Sequence, residues 1–363
     1  MSFLNRRFLA STAILGAMVL PNTAFAQLAD EIIVTATKRE KTLQDTPIAV
    51  TAVSDEDIKM SQIRDMRDMP LLATSLTVDQ RSTSSQTVFT IRGIGTSGDN
   101  AGLEPSVGVF VDGVYRSRQA ASIGDFPTVQ RVEILRGPQS SIYGKNTPAG
   151  VVSIITKKPE YELGYDLEGT YGNYDSLILK GTVTGPVGNN DTAAFRLSGN
   201  INKRDGFLTN LADGRDVNTR DRWALRGQFL YEPNDNVSVR IIGDFAKIDE
   251  ECCAAPFTIN NPTNAAALIA IGATVLPQDP FSRNISFDGD LRTVQETAGL
   301  SMQVDIDLGK AVFTSISAVR TLDEVNDLDA DFVDLNLTDI RQRRDVYSTY
   351  TQEFRLTSTG SNA

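Results

Sequence analysis

The sequence predicts a mostly β chain: a small mixed α/β domain, then about eight amphipathic antiparallel strands. Three observations carry this. Between residues 87 and 159, short β-branched runs alternate with turns built on Gly93, Gly95, Gly113, Gly137-Pro138 and Gly150, the pattern of a tight sheet with sharp corners. After Pro159 the chain changes to long two-residue alternation of apolar and polar side chains, as in strands with two unlike faces. Ahead of both, Arg6 and Arg7 precede an apolar run from Phe8 to Leu20 and small residues at Ala24 and Ala26. That reads as a cleavable export signal over residues 1–26.

In chain order, the export signal comes first. Its apolar run is too short to anchor the chain in a bilayer, so the mature chain begins near Gln27. Loss of Arg6 and Arg7 takes the net charge from −11 to about −13. An acidic chain without a basic, aromatic-laced patch argues against nucleic acid as a partner. No later segment is long and apolar enough for a membrane-spanning helix, so a membrane location requires a closed β-barrel. The sequence has no histidine, which removes Ser-His-Asp catalysis, His-rich metal sites and His-ligated haem. No nucleophile stands beside a base, and no catalytic site, cofactor or metal site is expected. The two cysteines, Cys252 and Cys253, are adjacent. In an oxidising compartment they close a vicinal disulfide or remain a loop with two thiols.

Residues 27–45 lack a core-forming pattern but contain a β-prone run, Glu31, Ile32, Ile33, Val34, Thr35, Ala36 and Thr37, followed by charged Lys38 to Lys41. Such a run either adds as a strand to another protein's sheet edge or forms the first strand of the next domain. That domain occupies residues 46–159. Residues 46–53 alternate as a strand, Ser54 and Asp57 match a capping box, and Pro70 stops the helix they begin. Strands follow at residues 88–91, 107–114 and 151–156, and Lys157-Lys158-Pro159 ends the domain.

Beyond it, Phe195, Leu197, Gly199 and Ile201 oppose Arg196, Ser198, Asn200 and Asn202. Trp223, Leu225, Gly227, Phe229 and Tyr231 oppose Arg226 and Gln228, and Val237, Val239 and Ile241 oppose Ser238, Arg240 and Asp244. Near the end, Tyr350, Phe354 and Leu356 oppose Glu353 and Arg355. Strands of about ten residues suit a tilted membrane span, yet alternation alone fits a soluble sandwich equally. Links are short at residues 185–190 and 232–235 and long at 205–221, 250–292 and 321–345, an asymmetry expected of an outer-membrane barrel.

Five pieces in order resemble the plug domain of TonB-dependent outer-membrane receptors: Phe89-Thr-Ile-Arg-Gly-Ile94, Val107-Gly-Val-Phe-Val-Asp-Gly-Val114, Arg131-Val-Glu-Ile-Leu-Arg-Gly-Pro138, Ser141-Ile-Tyr-Gly144 and Ala149-Gly-Val-Val-Ser-Ile-Ile-Thr156. The resemblance decides for a barrel over a sandwich. It divides the chain into a signal peptide (1–26), a TonB box and linker (27–45), a plug (46–159) and a partial transmembrane β-barrel (160–363). It implies that residues 31–37 bind TonB, energised by ExbB and ExbD. The cargo it implies is an extracellular metal chelate, most commonly a ferric siderophore, with vitamin B12, haem, saccharides and aromatics as alternatives. Outer-membrane lipid surrounds the barrel.

The resemblance also assigns roles to individual residues. Arg92 and Arg136 match plug arginines that in the family pair with barrel glutamates, and Glu353 is the candidate partner. Ser97, Asp99 and Asn100 would form an apical loop facing substrate, although turn chemistry explains them equally well. Asp327, Asp329, Asp331 and Asp334 lack the glycine and distal glutamate of a helix-loop-helix calcium loop and read as a solvated outer loop. The family's barrel has about 22 strands, and this chain ends at Ala363 without a terminal aromatic strand. A truncated receptor is therefore expected. A transport-inactive fragment that keeps a TonB-binding plug is the alternative.

Overall fold

The computed structural model describes residues 33–97, 100, 102–122, 128–188, 191–259 and 261–359. The expected export signal, Glu31, Ile32 and Asp99 lie outside the described residues. The described chain opens with a hairpin, β1 (Ile33–Val34) against β2 (Lys41–Thr42). Strand β3 (Val50–Ser54) leads into helix α1 (Asp55–Met60). The capping box forms as the sequence predicts: Ser54 Oγ accepts from the Asp57 N–H at 3.1 Å, and the Asp57 carboxylate accepts from the Ser54 N–H at 3.2 Å. The helix does not continue to Pro70. It ends at Met60, and Gln62 turns into the left-handed region at φ 53°; Pro70 sits instead in a separate 3-10 turn, Met69–Leu71.

Strands β4 (Leu76–Gln80) and β5 (Thr87–Ile91) pair only with each other. Strands β6 (Val107–Val111), β7 (Val114–Arg116), β8 (Val129–Arg136) and β9 (Gly150–Thr156), with the short helix α2 (Ser140–Tyr143) before β9, complete the domain. The main sheet runs β3-β8-β9-β6-β7, with β6 and β9 parallel and the other pairs antiparallel. The predicted mixed sheet is thus present, but residues 88–91 fall in the side hairpin. Phe89, Met66, Met69, Val107, Val132 and Ile134 fill the core beneath. At Gly150 a Cβ would lie 2.3 Å from the Leu135 carbonyl oxygen, so only glycine lets β9 close on β8 there.

The chain then enters β10 (Gly164–Gly172), β11 (Ser176–Pro186) and β12 (Ala193–Arg204). A long connection holds β13 (Leu208–Asn210) and β14 (Asp216–Val217), and β15 (Arg220–Asn234) and β16 (Val237–Glu251) follow. A second long connection carries α3 (Pro262–Ala270) and β17 (Asn284–Ile285) before β18 (Arg292–Asp307), β19 (Ala311–Asp329) and β20 (Asp339–Ser358). The eight long strands form one antiparallel sheet in chain order, with β10 and β20 at its edges. The loop expected over residues 321–345 is shorter than predicted. Pairing continues through the charged stretch, because Asp323 and Arg344 lie near one another across β19 and β20 and join at 2.9 Å.

The faces of this sheet are inverted relative to a soluble protein. Arg196, Ser198, Asn200 and Asn202 are buried, whereas Leu197, Ile201, Leu225 and Phe229 are exposed. Apolar side chains outside and polar side chains within are what a lipid-embedded sheet requires, and the sandwich reading is rejected on that ground. Leu225 lies in the middle of β15 on the apolar face. Leu225→Arg is expected to destabilise the membrane-inserted sheet by about 2–4 kcal/mol. Urea unfolding in lipid vesicles measures this.

Candidate coupling segment and plug–sheet interface

Of the segment predicted to engage a partner, the described residues 33–37 are folded back onto the mixed domain. Val34 and Ala36 are buried among Phe110, Leu135 and Val151. Between them, the Thr35 N–H donates to Glu133 Oε1 at 2.8 Å and its hydroxyl to the same oxygen at 3.1 Å. Glu133 is fully buried on β8, and Arg131 Nε donates to it at 2.7 Å. A carboxylate inside the apolar run Val132-Glu-Ile-Leu135 needs such donors, since an unpaired buried charge is costly. Lys38 turns the chain at φ 58°, forms an ion pair with Glu353 and lies 5.1 Å from the Tyr143 ring. The run is therefore a clamped hairpin and not a free extended strand.

The expected arginine latch is not the pairing observed. Arg92 is exposed in a left-handed turn at φ 53°, and its N–H donates to the Ser75 carbonyl. Arg136 directs its guanidinium to the Ala49 and Val50 carbonyls at 3.5 and 3.4 Å. Glu353 is held by Lys38 and, at 2.8 Å, by Arg355. Asn100 Oδ1 accepts from the Gly102 N–H, a bond local to its own loop. Cys252 and Cys253 are joined to one another after β16, where the Cys252 N–H donates to the Leu291 carbonyl.

Two knots between the mixed domain and the sheet have the opposite polarity, with carboxylates on the domain and guanidiniums on the strands, alongside the Lys38–Glu353 pair. Asp112, in the β6–β7 turn, accepts from the Thr156 N–H at 3.0 Å and the Thr156 hydroxyl at 2.9 Å. Arg226 of β15 and Arg240 of β16 close on its two oxygens. Arg240 also donates to Thr156 Oγ1 at 2.9 Å and to Gln228 Oε1 at 2.6 Å, while Gln228 Nε2 reaches the Lys157 carbonyl at 3.1 Å. A second knot joins Asp65 to Arg67 and, at 3.5 Å, to Arg222 of β15. Arg222 grips Glu250 with two bonds of 2.8 and 2.6 Å, and Ser84 donates to the same glutamate.

Burial by itself raises the Asp112 pKa, but Arg240 and Arg226, with the Thr156 donors, outweigh it and hold the carboxyl below the usual range. Burial acts likewise on Asp65, and Arg67 followed by Arg222 brings it below its ordinary value. Arg116 on β7 is lowered by burial to about 10, with Asp244 opposing the shift. Sequence reasoning had placed Arg226, Gln228 and Arg240 on the wet face of the sheet. Their partners were out of reach, because alternation along a strand says nothing of what faces it across space. Between α1 and strands β10–β12 there remains a cavity of ≈720 Å³, lined by Lys59 and Arg64 on one side and Asp166, Glu168 and Arg196 on the other.

Residues 42–151 match the model of the TonB-dependent Receptor Plug Domain. The pesticin receptor of Yersinia pestis is 28% identical over 178 residues, which cover 48% of this chain and 26% of that protein. The vitamin B12 transporter BtuB of Vibrio vulnificus is 24% identical over 265 residues, 71% of this chain and 42% of the relative. Among solved structures, the ferric yersiniabactin uptake receptor FyuA from Yersinia pestis superposes with a TM-score of 0.73 at 20% identity, covering 86% of this chain and 46% of that one. The chain thus spans less than half the length of each of these relatives. The plug match falls on the mixed domain, and the inverted sheet follows it in the order of the FyuA fold; the chain belongs to the TonB-dependent receptor family.

Proposed function

We propose that the protein takes a scarce nutrient, a ferric siderophore, across the outer membrane and that TonB drives the step by pulling on residues 31–37. The observation that carries this reading is the clamp on that segment: a short hairpin fixed to the plug by one buried carboxylate, Glu133, and to the sheet by Lys38–Glu353. A segment held by a few replaceable hydrogen bonds is suited to exchange them for main-chain bonds with a partner strand. The names of similar proteins support the cargo class: a pesticin receptor, a ferrioxamine B receptor and a ferric yersiniabactin receptor. The sheet lies in the outer membrane with its long connections outside and its short turns toward the periplasm.

A second reading has its own support. The sheet formed by the described residues is open at β10 and β20, and an unpaired edge is not stable in lipid. On that reading the chain is a transport-inactive module that keeps a TonB-binding plug. Iron-starved cells expressing the chain separate the two. TonB-dependent accumulation of a radiolabelled ferric siderophore is expected for transport. Capture of TonB without accumulation supports the inactive module, and neither result would sink both readings.

A further inference from the structure

We propose that Asp288, Asp329 and Asp339 form a calcium site that clips two outer connections of the sheet together. The three residues come from separate places: Asp288 from the β16–β18 connection, Asp329 from the last position of β19, and Asp339 from the first position of β20. One carboxylate oxygen from each lies within 4.8 Å of the others. The cluster is asymmetrically compensated. Arg341 and Asn336 both donate to Asp339 Oδ2, at 2.7 and 2.8 Å. Asp339 Oδ1 is buried and accepts no hydrogen bond, on a side chain only 8% exposed.

That unmatched oxygen faces the cluster. A Cβ added to Gly289 would sit 3.0 Å from Asp339 Oδ1 and 2.8 Å from Asp329 Cβ, so the backbone beside Asp288 packs directly against both acids. Asp329 is fully buried and held in place by the Phe332 N–H at 2.6 Å and the Gly289 N–H at 3.2 Å. Each of its oxygens keeps a further lone pair. A buried carboxylate oxygen without a donor, facing two other carboxylates, is costly unless a proton or a cation lies among them. All the donors are oxygens, which selects a hard divalent ion. Calcium accepts six to eight oxygens in adaptable geometry, whereas magnesium demands a near-ideal octahedron. Ligands drawn from two irregular connections, completed by carbonyls and water, fit calcium. The one-loop calcium pattern could not reveal this site, since only Asp329 comes from the acidic run 327–331.

Calorimetric titration of the full chain in detergent micelles with CaCl2 tests the assignment. Saturable binding is expected with Kd of about 10⁻⁴–10⁻³ M, the range of extracellular calcium modules. Asp339→Asn and Asp288→Asn should each weaken it about tenfold or more. Asp288 is exposed, so its variant keeps the packing intact even if Asp339→Asn disturbs the hairpin. Asp175→Asn, in the β10–β11 turn, should bind as the parent does. Absence of saturable heat, parental affinity in the Asp288 variant, or equal binding of MgCl2 would each overturn the proposal.

Discussion

Replacing Asp112 by alanine is expected to unseat the plug from the strands around it. The substitution leaves the guanidiniums of Arg226 and Arg240 buried without their shared carboxylate. Removing one partner from a buried ionic group costs about 3–5 kcal/mol, or a hundredfold or more in local opening at about 1.4 kcal/mol per tenfold. Hydrogen exchange of β6, β7 and β9, followed by mass spectrometry, should accelerate by that factor while the lipid-facing strands keep their protection. An unaltered plug would mean that apolar packing alone seats it. The same contacts set an acid limit. Asp112 and Asp65 have folded pKa values below those of free carboxylates. Their contribution is complete above the unfolded value of about 4 and is lost as pH falls through the lower folded values. Plug protection factors should therefore stay constant between about pH 5 and 7 and fall only under stronger acid.

Glu133→Ala should release the coupling segment. Alanine leaves the Thr35 N–H and the Arg131 guanidinium without their acceptor, and each buried orphan costs about 1–3 kcal/mol. Two measurements read the outcome: exchange at residues 33–37, and capture of a purified TonB C-terminal domain. Both should increase, because apparent affinity rises with the fraction of the segment already free. Glu133→Gln can still accept from Thr35 and should lie closer to the parent, which separates loss of the clamp from general loosening of β8. Should TonB capture stay at the parental level while the segment exchanges freely, the clamp has no part in gating.

Much of the architecture was legible because periodicity reports which face a side chain occupies. The buried Arg196, Ser198 and Asn200 and the exposed Leu197 and Ile201 sit as two-residue alternation requires. The Ser54–Asp57 capping box was equally readable, since both partners lie within one turn. What periodicity does not report is the partner across space. Residues 88–91 have the composition of a mixed-sheet strand, yet β5 pairs with β4, because short β-branched runs carry no register of their own. The candidate site failed for the same reason. Arg92 and Arg136 were matched to Glu353 by motif, whereas backbone carbonyls lie nearer Arg136 and Lys38 lies nearer Glu353. The one internal clue that could have found the clamp was Glu133, a charge in an apolar strand. It stood inside a motif already explained and so drew no question about its partner.

The placement of the two knots has a mechanical consequence. Asp112 and Asp65 tie the cork to adjacent staves, β15 and β16, whereas the N-terminal hairpin touches the sheet far around it, at Glu353 on β20. A pull beginning at Ile33 meets the Thr35–Glu133 bonds first and reaches the knots only through β8 and its neighbours. Fastenings strained one after another give way at lower tension than fastenings strained together. Under the proposed pull, the cork would therefore let go first on the side of its N-terminal hairpin, with the knots on β15 and β16 loaded later.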